Sequence, residues 1–523
     1  MLFERNLQKG PTEQKAAWEL PCQTQSICPE CDAILEATLY EDEGKVWMDK
    51  TCPEHGHYNE LISSDAKFFL KRRRTHFELP SGVETPFTES TNSCPHDCGL
   101  CTQHQSTPCL VNIDLTNRCN QNCPICFASA NASGRVFDLS LEQLDAMLDK
   151  IVSLRPYPPL SVQFAGGEPT VHKDFIKAVR MAKDKGVLDV QAASNGLLFA
   201  KKPDFAEQAA EAGLDVVYLQ FDGMRDEVYE HSRGRPLFET KMQAIENLRQ
   251  AGIMVTLVPT IVRGLNDDQI GEILQYAVEN TEAVTAISFQ PVSITGRIDR
   301  SKRLEMRYTM ADMARDLQNQ TGILDMYRDW YPFSIISPIS RLLEAITGKP
   351  KAYFSCHAHC GAASYLVVDK KNKTAVPVSR FLDIEAAMQD LNKEAEAVEN
   401  HAWRKKLTKF QVMRKLKKYF YPDQAPEGLT FDQLIDFVNK FLEAEPTKKK
   451  PKGHVYHMIG DRFDVLLLAA MHFQDKYNFE LDRVQHCVIH YASPDGMLYP
   501  FCTWNSGPCH RYRVEEQFSR PLE

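Results

Sequence analysis

The chain has 523 residues, more than one compact core holds, so about two to four domains are expected. Hydrophobic residues make up 43% and charged residues 25%, which is ordinary for a soluble globular protein, and a net charge of −9 gives no sign of a nucleic-acid binder. No apolar run reaches the ~18 residues of a membrane span, and the N-terminal MLFERNLQKGP lacks the apolar core of a signal peptide, so a cytoplasmic location is expected.

Sixteen cysteines are many for a reducing compartment, and their tight grouping points to metal ligation rather than disulfides. Residues 1–62 read as a small metal-stabilised knuckle. Cys28, Cys31, Cys52 and His55 form a C-x2-C…C-x2-H arrangement that suits tetrahedral Zn or a mononuclear Fe. Cys22 competes as a fourth ligand and would favour iron. Residues 63–109 are irregular and carry the Arg72–Arg74 run, then Cys94, Cys98, Cys101 and Cys109.

From residue 110 strands and helices alternate. Val111–Leu115 is a short apolar strand, and Ser140 with Gln143 forms a capping box for the helix that follows. Strands are expected at Ser161–Ala165, Val187–Ala193, Asp215–Phe221, Ile253–Val262 and Val284–Pro291, with helices between them. Such alternation argues for an α/β fold with a parallel sheet. Six strands in single file over 110–320 suggest a partial (β/α)6 barrel with its chemistry at the C-terminal strand ends; a doubly wound order is the alternative.

Residues 321–523 read as a C-terminal unit. It comprises helices near 320–350, a strand pair within 356–384, charged helices over 384–445, a linker at 444–453, and a helix at Arg462–Phe473 before the last cysteines. Cys356, Cys360, Cys487 and Cys502 come from distant stretches and are expected to meet as a second auxiliary cluster, or else to be buried free thiols. Cys509 has no expected role. His401–Phe420 has eight Lys or Arg, no acid and an apolar residue every three or four positions. This basic amphipathic helix suits either peripheral contact with an anionic membrane or packing on the core.

The chemistry centres on Cys119-x3-Cys123-x2-Cys126 after the first barrel strand. Three thiolates hold three irons of a [4Fe–4S] cubane and leave the fourth open to chelate the amino and carboxylate groups of S-adenosylmethionine. Gly166-Gly167-Glu168-Pro169 follows the next strand: two glycines let the backbone approach a ligand, and the carboxylate can receive an ammonium group. Cys94, Cys98 and Cys101 repeat the spacing, but Cys109 can close that set and no barrel strand precedes it. That set is therefore read as a fully ligated auxiliary [4Fe–4S] site, with a zinc knuckle as the alternative.

The CNQNCPICF and GGEP segments together resemble the radical S-adenosylmethionine superfamily. That resemblance implies the partial barrel and a 5′-deoxyadenosyl radical. It also implies Phe127, Asn195 and Asp222 beside the cofactor, and a low-potential electron donor as partner. The texts CPECDAILEA, DKTCPEHGHY, CPHDCGLCTQH, QFAGGEPT, SNGLL, LQFDG and YPFCTWN are similar to the group around tetraether lipid synthase. The resemblance implies three [4Fe–4S] clusters, one mononuclear site and coupling of unactivated sp3 carbons of lipid chains. The same group is linked to radical methylation of a pterin precursor, which is the alternative. An apolar tunnel would favour lipid and a polar pocket pterin.

Overall fold

In the computed structural model, the residues described are 19–78, 82–89, 93–131, 133–296, 298–401, 414–442 and 457–521. The first strands, β1 (Cys22–Ile27), β2 (Ile34–Asp42), β3 (Lys45–Cys52) and β4 (Gly56–Ser63), form a four-stranded antiparallel sheet in chain order. The helix Ala66–Arg74 follows, N-capped by the Asp65 carboxylate on the Phe68 amide at 2.7 Å.

The main sheet begins with β5 (Leu110–Thr116). After the short β6 (Arg135–Val136) come β7 (Ser161–Gly166), β8 (Asp189–Ser194), β9 (Val216–Gln220), β10 (Met254–Val258), β11 (Thr260–Ile261) and β12 (Val284–Pro291). The six strands β5, β7, β8, β9, β10 and β12 lie side by side in chain order, and every neighbouring pair is parallel. That order is a partial (β/α)6 barrel and excludes double winding. Val111, Val162, Val190, Val217, Val255 and Ile287 point outward into one apolar core under the helices. The capping box forms as expected: Gln143 N–H donates to Ser140 Oγ at 3.2 Å, and Ser140 N–H donates to Gln143 Oε1 at 2.9 Å.

The C-terminal part departs from expectation. Strands β13 (Gly361–Asp369), β14 (Thr374–Pro377), β15 (Met458–Ile459), β16 (Phe463–Met471), β17 (Ile489–Ala492) and β18 (Leu498–Pro500) all join the barrel sheet, while β19 (Arg520–Pro521) pairs with β6. β16 lies parallel beside β12, and β17 lies parallel beside β5. Residues 321–523 thus extend the barrel on both edges and are not a separate layer. The helix expected at Arg462–Phe473 is the strand β16: its apolar run is buried on both faces, and such a run carries no period to separate strand from helix. Most of the expected basic helix, residues 402–413, and the linker at 444–453 lie outside the described residues. The described end of that segment packs inward, with Leu416 and Phe420 against apolar clusters and Lys418 paired with Asp390 at 2.9 Å.

Candidate active site and metal centres

The loop after β5 carries Cys119, Cys123 and Cys126 at the C-terminal end of the barrel. The three thiols face one another; burial pushes Cys119 up to about 12, with Glu168, Cys123 and Cys126 adding to it. Cys123 is also raised by burial, and the Arg233 guanidinium, which hydrogen-bonds it, pulls it back.

The GGEP loop folds against this loop. Gly167 N–H donates to Thr116 O at 2.8 Å and Glu168 N–H to Arg118 O at 2.9 Å. A Cβ on Gly166 would stand 2.1 Å from Thr116 O, and one on Gly167 2.3 Å from Arg118 O. The two glycines therefore serve close approach to the cysteine loop itself. The Glu168 side chain, 1% exposed, accepts from Thr170 Oγ1 (2.6 Å), Ser194 Oγ (2.9 Å) and Asn195 N–H (2.7 Å). It ties the loop after β7 to the loop after β8. Asn195 in turn donates to Asn120 Oδ1 at 2.7 Å, inside the cysteine loop.

Asp222 is fully buried, and its oxygens accept from Arg233 Nε (2.6 Å) and Nη2 (2.8 Å) and from Thr260 N–H (3.2 Å). Arg233 Nη1 donates to Ile125 O at 2.6 Å. The Asp222 carboxylate thus clamps the cysteine loop through an arginine that spacing gives no reason to notice. Lys241, also buried, donates to Asn195 O (2.6 Å) and Gln220 Oε1 (2.7 Å), and desolvation lowers it to about 7. Phe127 stands with ring centroids 5.5 Å from Phe501 and 6.0 Å from Phe473.

Residues alternating with the outward core line the inner face of the barrel, and many are polar. Gln163 Nε2 donates to Gln191 Oε1 at 3.0 Å, Gln290 Nε2 to the Tyr218 hydroxyl at 3.3 Å, and Tyr218 to Ser288. An interior of amides and hydroxyls is unfavourable for a hydrocarbon chain, which satisfies none of them.

In the N-terminal sheet, Cys28, Cys31, Cys52 and His55 offer ligand atoms all within 4.8 Å of one another. Cys31 and Cys52 sulfurs are 3.9 Å apart, and His55 Nδ1 lies 3.5 Å from Cys52 and 3.7 Å from Cys28. Tetrahedral bonds of ~2.3 Å from zinc to sulfur place sulfurs ~3.8 Å apart, so the set fits a single ion. His55, not Cys22, completes it; Cys22 Sγ accepts from Arg73 Nη1 at 3.3 Å.

The other cysteines divide differently from the expectation. Cys94 and Cys98 hydrogen-bond each other, and Cys101 faces Cys94. Cys109 does not pack with this set. Its thiol donates to Tyr353 O at 3.3 Å, and it packs with Cys356 and Cys360. Cys356 faces Cys360, Cys109 and Cys487. Cys502, on the short helix Phe501–Asn505 after β18, faces Cys360 and Cys487, yet packs on the same apolar group as Cys94 and Cys98. Spacing suggests pairing by nearness in sequence, but the long return of the chain reshuffles it. Cys509 sits in a left-handed conformation at φ 63°, and burial pushes its thiol up to about 11.

Residues 113–277 match the Radical SAM superfamily, and residues 20–64 match the HMPTM N-terminal zinc ribbon domain. A 7,8-dihydro-6-hydroxymethylpterin dimethyltransferase of Methanocaldococcus jannaschii is 40% identical over 96% of this chain and 96% of its own. A GTP 3′,8-cyclase of Limosilactobacillus fermentum is 28% identical over 43% of this chain and 64% of its own. Among solved structures, Streptococcus suis SuiB bound to S-adenosylmethionine shares 18% identity over 41% of this chain and 47% of its own, with a TM-score of 0.34. The end-to-end match to a pterin methyltransferase overturns the expectation of lipid-chain coupling and lipid biosynthesis: the motif texts that suggested it come from cysteine groups and strand-end loops, which say little about substrate. The chain is a radical S-adenosylmethionine enzyme and belongs to the family of that pterin dimethyltransferase.

Proposed function

We propose that the protein is a radical S-adenosylmethionine methyltransferase acting on a small, polar heterocycle of the pterin class. The 40% identity to a pterin dimethyltransferase over 96% of both chains carries this reading. The polar inner face of the barrel supports it: carboxamides such as Gln163, Gln191 and Gln290 present paired donors and acceptors, as the edge of a pterin ring does.

In this reading Cys119, Cys123 and Cys126 hold an open-site [4Fe–4S] cluster, which when bound supplies the electron that cleaves S-adenosylmethionine. Gly166, Gly167 and Glu168 hold the loop beneath it, and Asn195 and Phe127 flank the cofactor. Asp222 and Arg233 keep the loop in place. The cysteines near the return strands hold two auxiliary clusters, Cys28, Cys31, Cys52 and His55 hold zinc, and a low-potential reductant is the partner.

The test is anaerobic incubation of reduced protein with S-adenosylmethionine and 7,8-dihydro-6-hydroxymethylpterin. The expected result is 5′-deoxyadenosine formed in step with consumption of the pterin, and none from a variant with Cys119, Cys123 and Cys126 all changed to Ala. Cleavage that ignores the pterin, with the pterin recovered intact, contradicts the substrate class. Cleavage by the triple variant contradicts the assignment of the cluster.

A further inference from the structure

The helix Ala66–Arg74 carries Phe69 and Arg72 to the start of β13. There Phe69 stacks on His359 with centroids 3.6 Å apart and planes 7° from parallel. His359 is 3% exposed, and neither ring nitrogen has a hydrogen-bond partner. His472 Nε2 likewise has none. Two arginines share this chamber. Arg72 is 2% exposed, its Nε has no partner, and its Nη1 reaches only Met310 Sδ at 3.6 Å. Arg483 donates from Nη2 to His472 O at 2.5 Å, its Nε has no partner, and its guanidinium hydrogen-bonds the Cys360 thiol and faces Cys502.

Neither guanidinium has a carboxylate oxygen within 4.0 Å among the described residues. Glu480 faces Arg483, but burial raises its carboxyl toward the neutral form. The two arginines also oppose each other: burial, and then Arg483, lower Arg72 to about 9. Two buried like charges with unused donors beside them are costly unless an anion stands between them. Of the cysteines, Cys360 faces both guanidinium groups and Cys502 faces Arg483, while Cys487 in turn faces Cys360 and Cys502. An oxidised [4Fe–4S] cluster with four thiolates is a dianion, and one more electron makes it more negative.

We propose that Arg72 and Arg483 are the buried counter-charges of an iron–sulfur cluster held by Cys360 and the thiols facing it, and that they raise its reduction potential. The proposal rests on the auxiliary-cluster reading given above. A fixed positive charge favours the reduced, more negative state, and burial leaves it little screened.

The test is a dithionite titration of the reconstituted full-length enzyme followed by electron paramagnetic resonance. A Cys360→Ala, Cys487→Ala double variant identifies the signal of this cluster by its loss. Arg72→Gln should keep the full iron content and move only that signal to lower potential, and Arg72→Lys should restore most of the shift. Should Arg72→Gln fail to assemble, Arg483→Gln is read in the same way, with Arg483→Lys as the variant that keeps the charge and restores most of the shift. A lost signal in the cysteine variant with an unmoved midpoint in the arginine variants overturns the counter-charge role alone. Full iron and all signals in the cysteine variant overturn the cluster at these thiols as well. A shift that Arg72→Lys does not restore also overturns the proposal, because it would mark a packing effect.

Discussion

The two glycines of the GGEP loop illustrate how far a residue type can be read. The sequence shows that backbone must approach something closely there; the structure shows that it is the carbonyls of Thr116 and Arg118, under the cysteine loop. Gly167→Ala should therefore displace that loop. We expect lost iron at the Cys119 set and at least a tenfold fall in 5′-deoxyadenosine formation, with the other metal sites filled; unchanged iron and activity would contradict this contact. Arg233 and Lys241 were not legible, because each acts on a partner that folding alone brings near. Removing Arg233 leaves Asp222 buried and unpaired, which costs about 3–5 kcal/mol. Arg233→Met should lower the denaturation midpoint accordingly, and a loss below about 1 kcal/mol would show the pair to be weak. Lys241 has a folded pKa near 7 against 10.5 for an ordinary lysine. The unfolded chain therefore binds more protons between those values, and this group makes stability rise with pH across that window. The slope of stability against pH from about 7 to 10 should be smaller in Lys241→Met; an identical slope would show that Lys241 does not titrate so low.

At the scale of elements, alternation made the six barrel strands and the capping box at Ser140 legible, since period and cap chemistry are local. β16 was not legible, because a strand paired on both sides and buried on both faces leaves no alternation to read. The place of Cys109 was not legible for a related reason: β17 returns beside β5, so the residue before β5 packs with Cys356 and Cys360, hundreds of positions away in sequence, while Cys487 and Cys502 face Cys360. The N-terminal sheet is the element most dependent on its ion. Its apolar core is small, with Leu39, Val46, Met48 and Phe69 at its centre, and structural zinc contributes about 10–16 kcal/mol of apparent binding energy in comparable small domains. Cys31→Ser should release the metal and make residues 22–63 susceptible to limited proteolysis, with the barrel intact. Protection equal to that of the parent protein after metal loss would show that the sheet stands without the ion.

On the scale of the whole molecule, the return strands turn a six-stranded open barrel into a wider sheet, with β16, β13 and β14 added beyond β12 and with β17 and β18 added beyond β5. Phe127, at the end of the Cys119–Cys126 loop, packs with Phe473 and Phe501 from the C-terminal part. The substrate class was the least legible feature in the sequence. Cysteine spacing describes clusters, whereas in the proposed reading substrate recognition falls to single residues such as Gln163, Tyr218 and Gln290, spread over separate strands. Among the described residues no helix is long and apolar enough to cross a membrane. The most direct measurement is the fate of a labelled methyl group. Reduced enzyme is incubated with S-adenosylmethionine deuterated at its methyl and with 7,8-dihydro-6-hydroxymethylpterin, and the pterin is examined by mass spectrometry. Transfer of the labelled methyl to the pterin ring or its side chain is the predicted result, the methyl coming from a second S-adenosylmethionine, because the one cleaved to the adenosyl radical leaves as methionine with its methyl attached. A pterin of unchanged mass, recovered while 5′-deoxyadenosine accumulates, would contradict it.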